Sequence, residues 1–254
     1  MALPPIPELQ ATVERSRDRF LLCVTIVVVF IIIGGYPRTV CADSVDDTGL
    51  WWAFFGQGDI SDHQDQCDCC RLKWWFDGHT RFLEDADGFN QSIVRPGLGL
   101  STSQHSAIWA GYGWIRTSPL EGADFDEHRF WQQWTWSRSH DPFAFALRSR
   151  LEQRFLETGD DTGWRFRQLV RAQYALPHCP RRTFVVWDEF FVHLNDTDWG
   201  ARDGFNQNRL FVGFGVKRDS RRRTEIGYLN QLINVPGGND RMNHILSINV
   251  YRRH

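Results

Sequence analysis

Residues 148–155 read RSRLEQRF, with Arg148, Arg150, Glu152 and Arg154 on every second position. A helix would line up Leu147, Leu151 and Phe155 at every fourth residue. A strand would put those three on one face with Phe143 and Phe145, and the four charges on the other. The stretch fits both locally, and the rest of the chain decides. In 163–175, Trp164, Phe166, Val170, Ala172 and Tyr174 oppose Arg165, Arg167, Arg171 and Gln173. In 205–216, Leu210, Val212, Phe214 and Val216 oppose Gln207, Arg209, Gly213 and Gly215, and in 242–251 Leu246, Ile248 and Val250 oppose Ser247 and Asn249. Turn-formers punctuate these runs: EDADG at 84–88, ETGDDTG at 157–163, ARDG at 201–204, KRDSRRR at 217–223 and VPGGND at 235–240. Alternation of period two between such turns describes a meander of β-hairpins with almost no helix.

Segments of this kind lie at about 50–58, 71–83, 91–100, 105–116, 127–138, 143–156, 163–175, 182–193, 205–217, 222–234 and 242–252. A soluble barrel or sandwich buries the apolar face and wets the other, whereas a membrane barrel inverts this. Inversion is favoured because the second face carries too much Arg, Glu, Gln and Asn to be a dry core. Aromatics near segment ends point the same way. Trp51, Trp52, Trp74, Trp75, Trp109, Trp114, Trp164, Tyr174, Trp187, Tyr228 and Tyr251 have the distribution of girdles at two lipid–water boundaries. The expected fold is all-β, an antiparallel up-and-down transmembrane barrel, apolar outside and polar within. Single-chain bacterial barrels usually have an even number of strands, so ten or twelve are expected, with one segment split or spurious.

The first 42 residues read as an export signal. Arg15, Arg17 and Arg19 precede an apolar run from Phe20 to Ile33, followed by Gly34-Gly35-Tyr36-Pro37 and by TVCA. Cleavage is expected after Ala42, leaving 43–254 as the barrel domain. An uncleaved anchor is the alternative, but the run is shorter than the roughly 18 residues a spanning helix needs. Without residues 1–42, 25 basic and 28 acidic residues remain, which leaves no basic field for nucleic acid.

RSRLEQRF, followed by WRFRQLVRAQY, WDEFFVHLND, FNQNRLFVGFGVK and EIGYLNQL, resembles the domain-of-unknown-function family twenty-four-ninety. The resemblance runs from about Trp51 to Tyr251, with IVRPGLGL and IWAGYGW adding to it. It implies a Gram-negative-type outer membrane and an antiparallel barrel, and no known activity or substrate. Two features depart from it: the last aromatic, Tyr251, stands three residues before the end, and CDCC at 67–70 is not associated with the family.

Arg148, Arg150, Glu152, Arg154, Arg165, Arg167, Arg171, Arg209 and Glu225 form the expected lumen-facing charged network. Such a network either plugs and stiffens the lumen or selects anions, as charged rings do in pores. Asp188-Glu189 suggests a carboxylate pair, but neighbouring strand residues point to opposite faces, so one should face the lumen and the other lie at the rim. Cys67, Cys69, Cys70 and Cys179 are candidates for disulfides after export, and C-x-C-C lacks zinc-site spacing, so no metal is expected. No G-x-S-x-G is present, and GLGL at 97–100 and GYG at 111–113 read as strand glycines that let bulky neighbours pack.

The sequence therefore points to a non-enzymatic outer-membrane barrel without a cofactor, a structural barrel or a small arginine-lined channel. Its expected partners are outer-membrane lipids and the barrel insertion machinery. The alternatives are an outer-membrane enzyme acting on lipid or polysaccharide, with His79, His128, His140, Asp188 and Glu189 as scattered candidates, and a soluble periplasmic barrel binding an apolar ligand.

Overall fold

The computed structural model describes residues 45–60, 71–83, 88–119, 122–177 and 179–254. These hold eleven strands and no helix: β1 (Val45–Asp59), β2 (Leu72–Leu83), β3 (Gly88–Ser101), β4 (Ser106–Thr117), β5 (Phe125–His140), β6 (Phe143–Leu156), β7 (Thr162–Leu176), β8 (Cys179–His193), β9 (Gly204–Lys217), β10 (Arg222–Ile233) and β11 (Arg241–Arg253). Each strand pairs with its sequence neighbours, and β1 closes the barrel against β11. All the segments marked by alternation are strands, with boundaries within a few residues.

Two expectations are corrected. The count is eleven, not ten or twelve, and no segment is split or spurious. The barrel is antiparallel except at its closure, where β1 and β11 run parallel, from Val45 beside Arg241 to Gln57 beside Arg253. The second follows from the first: strands that reverse at every turn return in the starting direction after an odd number. Val45, Leu83, Thr117, Leu156, His193, Ile233 and Arg241 therefore share one end, the entry mouth. Asp59, Ser101, His140, Leu176, Lys217 and Arg253 share the other, the exit mouth.

The two faces differ in chemistry. Many outward-pointing residues are large, apolar and exposed, among them Leu98 at 57%, Phe214 at 54%, Phe130 at 51% and Leu246 at 50%. The inner face carries the alternating charges but is not uniformly polar. Trp75, Trp109 and Trp131 pack edge-on on one wall, with centroids 5.4 and 6.4 Å apart. Trp51, Val185, Phe211, Leu229 and Ile245 form a second buried cluster, against which Trp187 stacks on Phe211. The girdle reading is thus corrected in part: Trp51, Trp75, Trp109, Trp187 and Tyr251 point inward. A Trp-Trp dipeptide on a strand must send one ring each way, so Trp52 and Trp74 face out while Trp51 and Trp75 face in.

The glycines of GLGL and GYG make room for the inner tryptophans. A Cβ at Gly97 or Gly111 would overlap the Trp131 ring, and one at Gly99 would overlap Trp109. That accounts for two glycine-rich strands facing the bulkiest inward side chains.

Candidate functional site

Charged side chains on alternate positions of β2, β3 and β5–β10 meet inside the barrel, because register places inward residues of neighbouring strands side by side. All the residues of the expected network point inward. Arg150 stands opposite Arg167, Glu152 opposite Arg165, and Arg148 opposite Leu169. The centre is Glu152, which has no solvent exposure. Its Oε2 accepts from Arg165 Nε at 3.0 Å and Nη2 at 2.6 Å, and its Oε1 accepts from Arg167 Nη1 at 2.6 Å. Arg95 and Arg150 each approach Oε1 at 3.8 Å. Glu189 Oε1 takes Arg167 Nη2 at 2.8 Å and Arg148 Nη2 at 2.7 Å. Toward the exit mouth, Arg171 pairs with Glu225 and donates to the Tyr251 hydroxyl at 3.3 Å.

Several of these contacts join strands that are not neighbours. Arg95 on β3 meets Glu152 on β6, Arg148 on β6 meets Glu189 on β8, and Arg171 on β7 meets Glu225 on β10. They tie together strands that share no backbone hydrogen bonds. Asp77, Glu152 and Glu225 are 0% exposed and Arg150 is 1% exposed, so the middle of the lumen is filled by side chains. Burying charge in this way is tolerable only when each group is paired and hydrogen-bonded.

The entry half differs. A cavity of about 840 Å³ opens among the strand ends of that mouth, lined by Val45, Thr117, Phe125, Leu156 and Arg241 at its rim. Its walls carry Arg81, Arg95, Arg129, Arg154, Arg165, Arg167 and Arg209, and its floor is the layer around Glu152. Arg129 and Arg154 share Glu127, with Arg129 Nε and Arg154 Nε each 2.5 Å from Oε1. Arg154 also lies over Trp199 from the β8–β9 connection, 5.0 Å from the ring centroid.

Glu127 and Arg129, which alternation puts on the second face of 127–137, and Glu189 join this ensemble, and Asp77, Arg81 and Arg95 belong to it without being expected in it. Their signal was present, since Asp77, His79 and Arg81 occupy alternate positions of β2. Glu189 faces the lumen, but Asp188 sits on the outer face in mid-strand rather than at the rim, accepting from Asn208 Nδ2 at 2.9 Å. It joins an outward polar group in which Ser149 Oγ donates to Gln168 Oε1 at 2.5 Å and Gln132 bonds Gln153. The scattered catalytic candidates do not converge. His79 is inside beside Asp77, His128 is outside sharing a hydrogen bond with Tyr112, and His140 ends β5 at the exit mouth. Cys67, Cys69 and Cys70, and the segment 1–42 read as an export signal, lie outside the described residues. Cys179 is exposed and forms no disulfide with a described residue.

Outside the barrel wall, the β6–β7 and β8–β9 connections interlock at the entry mouth. Asp198 accepts the amide hydrogens of Asp160 at 2.9 Å and Asp161 at 3.2 Å, and the Asp198 amide donates back to the Asp161 carboxylate at 2.8 Å. These bonds, the one from Asp160 foremost, hold the Asp198 carboxyl below the usual carboxylate range.

A family model described as "Protein of unknown function (DUF2490)" matches residues 48–243. An uncharacterised protein of Methylorubrum extorquens is 29% identical over 215 residues, covering 84% of this chain and 90% of that protein. No solved structure matches the chain. Because that model spans residues 48–243, most of the chain, the chain belongs to the DUF2490 family of proteins of unknown function.

Proposed function

We propose that the protein is an exported outer-membrane barrel whose lumen is shut midway by ion pairs, a non-conducting and non-enzymatic barrel rather than an open channel. The observation that carries the closed lumen is Glu152, fully buried between guanidiniums that reach it from β3, β6 and β7. Ions or solutes crossing this layer would have to part buried ion pairs. The membrane reading is supported by the outer face, where large apolar side chains stand exposed around the wall while charge is turned inward. A soluble protein rarely leaves so extensive an apolar surface uncovered. Lipid is its natural contact, and insertion of such a closed sheet requires the cell's barrel-assembly machinery.

Connection lengths support an orientation. Outer-membrane barrels have short periplasmic turns and longer external loops. The exit mouth carries the short connections 102–105, 141–142, 177–178 and 218–221, with 60–71 the exception, and the entry mouth carries 118–124, 157–161, 194–203 and 234–240, with 84–87 its short exception. The cavity then faces the cell exterior.

Membrane fractionation with a heat-modifiability gel tests the location. The protein should sediment with outer membranes and shift on boiling, and a soluble protein with one band would refute the embedding. Planar-bilayer recording tests the closure: no steady conductance is expected, and discrete open-channel steps from the purified protein would refute it.

A further inference from the structure

We propose that the entry-mouth cavity is a binding site for a soluble oxyanion of the phosphate class, held between the guanidiniums of Arg81 and Arg209 beside Trp51. The proposal rests on the closed-barrel reading only in treating the cavity as having one mouth.

Most lumenal arginines are neutralised by a carboxylate, but these two are not. Among the described residues neither Arg81 nor Arg209 forms an ion pair, although both are only 8% exposed. Glu127 is held by Arg129 and Arg154, and Glu189, which attracts Arg209 from beyond ion-pair distance, is held by Arg148 and Arg167; Asp46 and Asp47 stand at the cavity's rim. What holds Arg81 and Arg209 instead are amide oxygens. Arg81 Nη1 donates to Gln91 Oε1 at 2.7 Å, and Arg209 Nη2 to Gln207 Oε1 at 3.3 Å. These amides are themselves oriented. Gln91 Nε2 donates to Thr117 Oγ1 at 2.9 Å, Gln231 Nε2 to Gln207 Oε1 at 2.5 Å, and Asn243 Nδ2 to Gln231 Oε1 at 3.0 Å. An amide oxygen fixes a guanidinium in place without cancelling its charge, so the charge remains available to a ligand.

Both cations lie over one ring, Arg81 at 4.0 Å and Arg209 at 4.9 Å from the Trp51 centroid. Their separation cannot exceed those two distances laid end to end. Like charges held so close repel. Among the described residues, the Nε atoms of both arginines and the Trp51 indole nitrogen are buried donors without a partner. An oxyanion placed there would offset the repulsion, and guanidinium forks match the tetrahedral oxygens of phosphate. Two unneutralised cations favour a dianion over a single carboxylate. The cavity, at about 840 Å³, has room for an organic body beside Trp51 and Phe191. Its wall is a closed hydrogen-bonded sheet, so a ligand enters through the mouth from solution.

The test uses the whole protein in detergent micelles, with inorganic phosphate as probe and chloride at matched ionic strength as control. Saturable heat on titration and a higher unfolding temperature are expected with phosphate and not with chloride. Arg81→Gln and Arg209→Gln should each weaken phosphate binding by about tenfold or more, while Arg223→Gln at the other mouth leaves it unchanged. Both cavity variants should also unfold, without phosphate, at no lower temperature than the parent, because each relieves the repulsion between the two cations; their heat-shifted gel band verifies folding. Phosphate behaving like chloride, or binding that survives in both cavity variants, would overturn the site. Saturable binding to phosphatidate vesicles with none to inorganic phosphate would transfer it to a lipid headgroup and overturn the soluble ligand. These measurements are independent of conductance, so a barrel that conducts can still bind phosphate, and a silent one can fail to.

Discussion

Replacing Glu152 with Gln should destabilise the barrel more than any other single change to a lumenal carboxylate. The substitution preserves shape and removes one charge. Arg167 keeps Glu189 and Arg95 keeps Asp77, but Arg150 and Arg165 lose the only ion-pair partner they have among the described residues while staying 1% and 5% exposed. Breaking a buried pair by deleting one partner costs about 3–5 kcal/mol, and two orphaned cations place Glu152→Gln toward the upper figure. Urea unfolding of the refolded protein in lipid vesicles, followed by loss of the heat-shifted gel band, measures this. With a slope of about 1–3 kcal/mol per molar urea, the midpoint should fall by more than about 1 M. Adding Arg165→Gln should recover part of the loss, since it removes one of the orphans. A cost under about 1 kcal/mol, the range of solvated pairs, would mean that water fills the layer and would refute the closed lumen.

Three further outcomes follow from other parts of the wall. Gly111→Ala puts a methyl group into the Trp131 ring and should cost about 1–3 kcal/mol by overpacking; a neutral result in the same urea assay would show that the tryptophan wall is loosely packed. Asp188→Leu removes the carboxylate from the outer face and should stabilise the barrel in vesicles by about 1 kcal/mol, whereas a loss of stability there would contradict contact with hydrocarbon. The Asp198 clasp should titrate as a depressed carboxylate. Its ordering effect is complete above the unfolded value of about 3.9 and is lost as pH falls through the lower folded value. Amide exchange at Asp160 and Asp161, corrected for intrinsic rates, should therefore be flat from neutral pH down to about 4, and protection that fails near pH 6 would implicate a different group.

Strand positions were legible because alternation is local: RSRLEQRF needs no partner to show which residues share a face. Parity was not. Whether eleven or twelve strands close depends on Val45 finding Arg241, and nothing near either residue encodes that contact. The aromatic girdle was misread for a related reason. Proximity to a segment end does not say which way a ring points, and Trp51 and Trp52 differ in direction although adjacent. Within the site, the charges of β6 and β7 stood out because several fall in one run. Those of β2 and β3 were diluted by Trp74, Trp75 and Phe76 and by glycines. Pairings across the lumen, such as Arg171 with Glu225, join residues 54 positions apart and become visible only in three dimensions.

The parallel seam between β1 and β11 also restricts how the gene could be rearranged. In a barrel with an even number of strands the first and last residues emerge together, and a short linker can join them while a new opening is cut elsewhere. Here such a linker would have to run the full height of the wall, so circular permutants with a short joint should not assemble. Copying or deleting whole hairpins would keep the strand number odd and the seam parallel.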